Sequence, residues 1–182
     1  MRKYEFTGET KLNIFGKTLR RIRALIRIDI GVRFVEVGEL GGWIETEKNL
    51  DHDGNAWVCD NAWVCDNAWV YGDAWVYGDA RVWGNARVCG NARVCGDARV
   101  CGDAEVLRME HYLVMGPMGS RNAFTTFFRN KDNKIKVVCG CFFGTIDEFL
   151  SKVNSTHGDS KHAKVYRAAV EVTLAQLEDV EK

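Results

Sequence analysis

The sequence predicts a mainly β fold: a parallel β-helix of about three coils over residues 55–107, between an N-terminal β cap (1–54) and a small C-terminal α+β module (108–182). Three observations predict it. A valine recurs at every sixth position from Val58 to Val106, an alanine stands two positions before each from Ala56 to Ala104, and Gly-Asn, Gly-Asp or Asp-Asn pairs separate the phrases. An α-helix cannot keep every sixth residue on one face, whereas a short strand followed by a tight turn can do so indefinitely.

Three phrases make one triangular coil. Each valine points inward from a flat side, and each alanine sits near a corner where a larger side chain would not fit. The glycines from Gly72 to Gly102, with neighbouring Asn and Asp residues, supply turns that tolerate positive φ. With stacked strands roughly 4.8 Å apart, nearly three coils give a prism on the order of 14 Å tall. So short a solenoid has two open ends that must be capped, and the flanking segments are the candidates.

An aliphatic residue with a small residue four positions later resembles the hexapeptide repeat of left-handed parallel β-helices, over less than a third of the chain. The phrase LGGWIE ahead of NAWV and NARV repeats resembles, through about the first hundred residues, a group of hexapeptide-repeat proteins of bacteria, phages and prophages. The resemblance implies a left-handed parallel β-helix that associates as a homotrimer through its prism sides.

Stacking at eighteen residues sorts the outward residues into columns. One side carries Trp57, Cys59, Trp75, Tyr77, Arg93 and Cys95. It is too apolar to face water comfortably and should be covered by another subunit or by a flanking segment. Trp57, Cys59, Trp75, Tyr77 and Arg93 are therefore the candidate oligomer interface. The same stacking sets Trp75 beneath Arg93, Trp63 beneath Arg81 and Trp69 beneath Arg87, which suits cation–π contact.

A formal net charge of +0 gives the molecule no overall attraction to nucleic acid or acidic lipid. The N-terminus lacks the apolar core of a signal peptide and no run reaches membrane-spanning length, so a cytoplasmic protein with no membrane partner is expected. Cys59, Cys65, Cys89, Cys95 and Cys101 fall on repeat positions too far apart for disulfides, and read as small fillers in a reducing compartment.

In the cap, Ile22, Ala24, Ile26 and Ile28 alternate with Arg21, Arg23 and Arg27 as in a half-buried strand. The arginines form either a solvated face or a strip for phosphates. The segment FVEVGELGGWIETEKNL enters the first coil, with Trp43 expected over the open end of the prism.

In the C-terminal module HYLVMG, AFTTFFR and KIKVVCGCF read as strands. Thr145 with Glu148 forms a capping box for a short helix, and a second helix starts near Ser160 with Ala163, Tyr166, Val170, Leu174 and Leu177 on one face. Cys139 and Cys141, alternating onto one strand face, and His157 and His162 are the candidate metal ligands. Zinc accepts these residue types, although the spacing is no finger signature and no cofactor is required. Gly119, Ser120 and Arg121 in a turn, followed by Thr125 and Thr126, offer backbone donors, hydroxyls and a fork-shaped cation. Ser120, Arg121, Thr125, Thr126, His157 and His162 are accordingly the candidate residues for an anionic or nucleotide-like ligand.

Acyltransferases on this fold use a histidine base near the subunit boundary and usually a loop extruded from a coil. Here the repeats contain neither, with His52 before them and His111 after. No catalytic residues are assigned. The leading expectation is a non-catalytic trimeric scaffold presenting a C-terminal ligand- or partner-binding module, in one version a phage or prophage protein that sequesters an anionic metabolite or signalling nucleotide. The alternatives are a hexapeptide-repeat acyltransferase and a zinc-stabilised structural or interaction protein.

Overall fold

Apolar and charged residues alternate through the first antiparallel pair, β1 (Tyr4–Leu12) and β2 (Thr18–Ala24), which turns buried Leu19, Ile22 and Ala24 inward. A two-strand hairpin, β3 (Ile28–Asp29) and β4 (Phe34–Val35), follows. The chain then enters β5 (Leu40–Ile44), antiparallel to β2. These elements belong to a computed structural model that describes residues 1–177.

Each six-residue phrase adds a two-residue strand: β6 (Trp57–Val58), β7 (Trp63–Val64), β8 (Trp69–Val70), β9 (Trp75–Val76), β10 (Arg81–Val82), β11 (Arg87–Val88), β12 (Arg93–Val94), β13 (Arg99–Val100) and β14 (Glu105–Val106). They stack in parallel in three columns, β7-β10-β13, β8-β11-β14 and β6-β9-β12. Every repeat valine is fully buried and every repeat alanine is at most 1 % exposed. The interior is thus an alternation of two small side chains, which lets three short walls close on one another. Backbone bonds between coils run down each side, for instance Trp63 N–H to Ala80 O and Cys65 N–H to Val82 O, both 3.0 Å.

Strand β5 stacks directly on β7, pairing Trp43 with Trp63 and Ile44 with Val64, while Leu50 bridges Val70. The β-solenoid therefore makes about four turns, one of them built within residues 40–54. Asn49, fully buried, fixes that turn by donating to Asp66 O at 3.1 Å and Ala68 O at 2.8 Å. Trp43 does not cover the open end as expected. Its pairing with Trp63 places it on the outer wall, where the Lys11 ammonium lies 4.3 Å from its ring. The end is closed instead by Tyr4, Ile22 and Ala24, with the Tyr4 hydroxyl donating to Leu50 O at 2.9 Å.

The apolar side carrying Trp57, Cys59 and Trp75 is covered from within the chain. Ile28, Ile30 and Val35 of the β3–β4 hairpin join Trp57 and Cys59 in one buried cluster, and Trp75 and Tyr77 pack against it. Trp57 is 0 % exposed, so it has no area left for a second subunit. The expected arginine–tryptophan stacking is also replaced. The registers are as anticipated, Arg81 with Trp63, Arg87 with Trp69 and Arg93 with Trp75, but two of the indoles lie on tyrosines of their own phrase. Trp69 stacks on Tyr71 at 4.0 Å and Trp75 on Tyr77 at 4.1 Å, a contact between two flat faces that a neighbouring cation does not displace.

Below the last coil lies an antiparallel sheet of β15 (Tyr112–Met118), β16 (Ala123–Arg129), β17 (Ile135–Cys139) and β18 (Phe142–Thr145). Its period of two divides its duties. Phe128 and Val138 join the solenoid core, while Phe127 and Val137 face the helices α1 (Ile146–His157) and α2 (Lys161–Leu177). Thr145 and Glu148 form the capping box: Thr145 N–H donates to Glu148 at 2.7 Å and Glu148 N–H to Thr145 Oγ1 at 3.2 Å. Ala163, Tyr166, Val170 and Leu177 are the buried stripe of α2, with Leu174 half-buried beside them. Among the described residues no helix is long and apolar enough to cross a membrane.

Candidate functional site

A cleft of about 160 Å³ opens where the β15–β16 turn, the β17–β18 turn and α1 converge. Amphipathic spacing on α1 brings Phe149, Lys152, Val153, Thr156 and His157 to it, because residues three and four apart share a helix face. The β15–β16 turn contributes Ser120 and Arg121, the β17–β18 turn contributes Cys139, Gly140, Cys141 and Phe142, and α2 contributes Tyr166.

The floor is aromatic. Phe142 and Phe149 lie 5.4 Å apart between ring centres, Phe149 meets Tyr166 edge-on at 5.4 Å, and the His157 ring is 5.8 Å from that of Tyr166. The rim is cationic. Arg121 and Lys152 are both exposed, and among the described residues neither takes part in an ion pair. Burial, then the neighbouring Cys139 thiol, pushes the Tyr166 hydroxyl up to about 12, against the opposing pull of Arg121, so it stays a neutral donor at neutral pH.

Of the residues singled out for an anionic ligand, Ser120, Arg121 and His157 line this cleft. Thr125 and Thr126 do not, for both are buried and committed to protein partners. Thr125 Oγ1 donates to Cys139 Sγ at 3.2 Å, whereas Thr126 Oγ1 accepts the Arg99 N–H at 2.9 Å and ties the sheet to the solenoid. His162 is exposed, with its ring 6.0 Å from that of His157, and lies outside the lining. Lys152, Phe142 and Tyr166 were not legible as site residues. Only the 149–152–153–156 stripe of α1, cationic at one position and apolar at two, carries a signal for Lys152.

The two cysteines do not share a strand face. Gly140, at φ +60°, starts a two-residue loop between Cys139 and its cross-strand partner Phe142, which splits KIKVVCGCF into a hairpin. Cys139 packs inward with its Sγ 3.8 Å from the Tyr166 hydroxyl, while Cys141 sits exposed in the turn. Among the described residues, Cys139, Cys141, His157 and His162 do not bring three ligand atoms within 4.8 Å of one another. Glu45, Cys65 and Asp66 do, but the Lys17 ammonium already bonds to both carboxylates. All seven cysteines are free thiols.

The two histidines nearest the repeat hold segments in place. His52 accepts the Lys3 N–H at 3.2 Å and stacks on Tyr4 at 4.3 Å. His111 is 1 % exposed and accepts the Leu107 N–H at 3.4 Å. The arginine strip of the cap is neutralised by carboxylates: Arg21 pairs with Glu9 at 3.1 Å, Arg23 with Glu5 and Arg27 with Glu36 at 3.3 Å. Charges paired in this way offer phosphates little.

No curated protein matches the chain. Residues 86–102 match the YdcK beta solenoid repeat family, a likeness confined to the stretch of stacked coils that holds β11, β12 and β13.

Proposed function

We propose that the chain is a non-catalytic scaffold: a left-handed β-helix of hexapeptide repeats whose C-terminal module holds a small anionic ligand. The observation that carries this reading is the gathering of Arg121, Lys152 and His157 around one cleft, with no ion pair on Arg121 or Lys152 among the described residues. Two charges left unpaired at the mouth of an apolar cleft favour a ligand that supplies the opposite charge, because hydrogen bonds to ionised groups are about twice as strong as neutral ones.

The rest of the reading follows the resemblance carried by LGGWIE and the repeats. The protein works as a homotrimer in the bacterial cytoplasm, encoded by a phage or prophage, and sequesters an anionic metabolite or signalling nucleotide. The side built by β8, β11 and β14 is offered for self-association, with Trp69 38 % exposed and stacked on Tyr71. No cofactor enters this reading.

Calorimetry of the full chain against a panel of small anions and nucleotides tests the ligand part. Binding by the native protein and its loss in Arg121→Ala and Lys152→Ala is the expected result, and no binding by the native protein to any member of the panel sinks it. Native mass spectrometry of the same sample reports the number of subunits and any retained ligand.

A further inference from the structure

We infer that the anion is carried on a single flat apolar ring: the ligand is a monoanion of about the size of benzoate. This deepens the reading above and rests on it. The size comes from the cavity. The cleft has a volume of about 160 Å³, and an apolar cavity of about 150 Å³ holds one benzene ring. One ring with its acid group fills such a space, whereas a two-ring base with its sugar and phosphate would leave most of its surface outside the cleft.

The walls choose the shape and the rim chooses the charge. Phe142 is tilted by 52° to Phe149, and Phe149 stands at 87° to Tyr166, so the inner surface presents aromatic edges and faces in the geometry that receives one more ring. Val153 and Cys139 complete a mainly apolar interior, in which the polar side chains of Ser120, Thr156, His157 and Tyr166 are the further groups within reach of the anionic end. Among the described residues, Arg121 and Lys152 are the arginine and lysine of the lining, and both are exposed. A single carboxylate beside a ring satisfies them while the ring is withdrawn from water. A polyphosphate would leave most of its charge unpaired, at a desolvation cost the apolar wall does not return.

The test is calorimetry of the full chain with benzoate, phenylacetate, benzamide, 2-naphthoate, inorganic phosphate and adenosine monophosphate. Benzoate and phenylacetate are expected to bind. Benzamide, the same ring without the charge, is expected to bind about tenfold or more weakly, the loss of one charge-assisted bond. Inorganic phosphate, which has no ring, and 2-naphthoate, which has one ring too many, should both be weaker than benzoate. Arg121→Gln and Lys152→Gln, at exposed positions that leave the fold intact, should each bring benzoate toward the benzamide value. Phosphate or adenosine monophosphate binding as tightly as benzoate, with the same dependence on Arg121, overturns the ring while the anion reading stands. Benzamide or 2-naphthoate equal to benzoate overturns the charge or the size, and no binding by any anion overturns both readings.

Discussion

The hydroxyl of Tyr166 stands 1.8 Å from the point that a Cβ on Gly119 would occupy, and Gly119 has φ +72°. The β15–β16 turn and α2 therefore meet without room for one methyl group. Gly119→Ala must push Tyr166 away from the cleft floor and also hold alanine in a left-handed backbone, which alone costs about 1–2 kcal/mol. The expected result is a lower melting temperature together with an anion affinity reduced by about tenfold. Gly8→Ala is the control, because Gly8 has φ +92° with nothing within 4 Å of its Cβ position. It should share the stability loss and keep the affinity. Equal binding losses in the two variants would show that the Tyr166 contact does not shape the site.

Burial pushes the thiols of Cys59, Cys65 and Cys101 from their ordinary 9 up to about 12. A group whose folded value is raised stabilises the fold fully below its unfolded value and loses that contribution as pH rises. Between about pH 9 and 12 the unfolded chain ionises these thiols while the folded chain does not. Each can take up to about 1.4 kcal/mol per pH unit from stability in that window. The protein should therefore lose stability steeply above pH 9, and a Cys59→Ala, Cys101→Ala double variant should flatten the slope. Denaturant unfolding at pH 7, 9 and 10 gives the slopes, and identical ones in the two proteins would count against the thiols as the cause.

The repeat was legible wherever the valine period is unbroken and hidden where it is not. Ile44 to Leu50 keeps the step of six, but Leu50 to Val58 is a step of eight, so the first coil pairs Leu50 with Val70 across twenty residues where Val58 meets Val76 across eighteen. Two extra residues concealed a whole turn and moved Trp43 from the end of the prism to its wall. In the C-terminal module the strands, the capping box and the stripe of α2 were legible because each follows a local period. The cleft was not, because it is a meeting of two turns and a helix face. Ser120 and His157 are 37 positions apart in the chain, and no spacing rule relates them. Thr125 and Thr126 misled for the reverse reason: hydroxyls next to an arginine turn look available, yet in a two-faced buried strand each must find a partner inside the protein.

Trp57 and Trp69 occupy equivalent positions in their phrases and should answer mutation in opposite ways. Trp57 is 0 % exposed under the β3–β4 hairpin, and its indole Nε1 has no hydrogen-bond partner. Trp57→Ala opens a large cavity and should cost about 3–5 kcal/mol. Trp57→Phe keeps most of the ring volume and removes a buried donor that nothing satisfies, so it should cost far less. Trp69 is 38 % exposed and stacks on Tyr71 on the outer wall, so Trp69→Ala should cost less than about 1 kcal/mol in the fold. If the side built by β8, β11 and β14 joins the subunits, the same Trp69→Ala change should shift sedimentation from trimer to monomer while Trp57→Phe leaves it at trimer. A Trp69→Ala protein that stays trimeric would move the subunit contact to another surface.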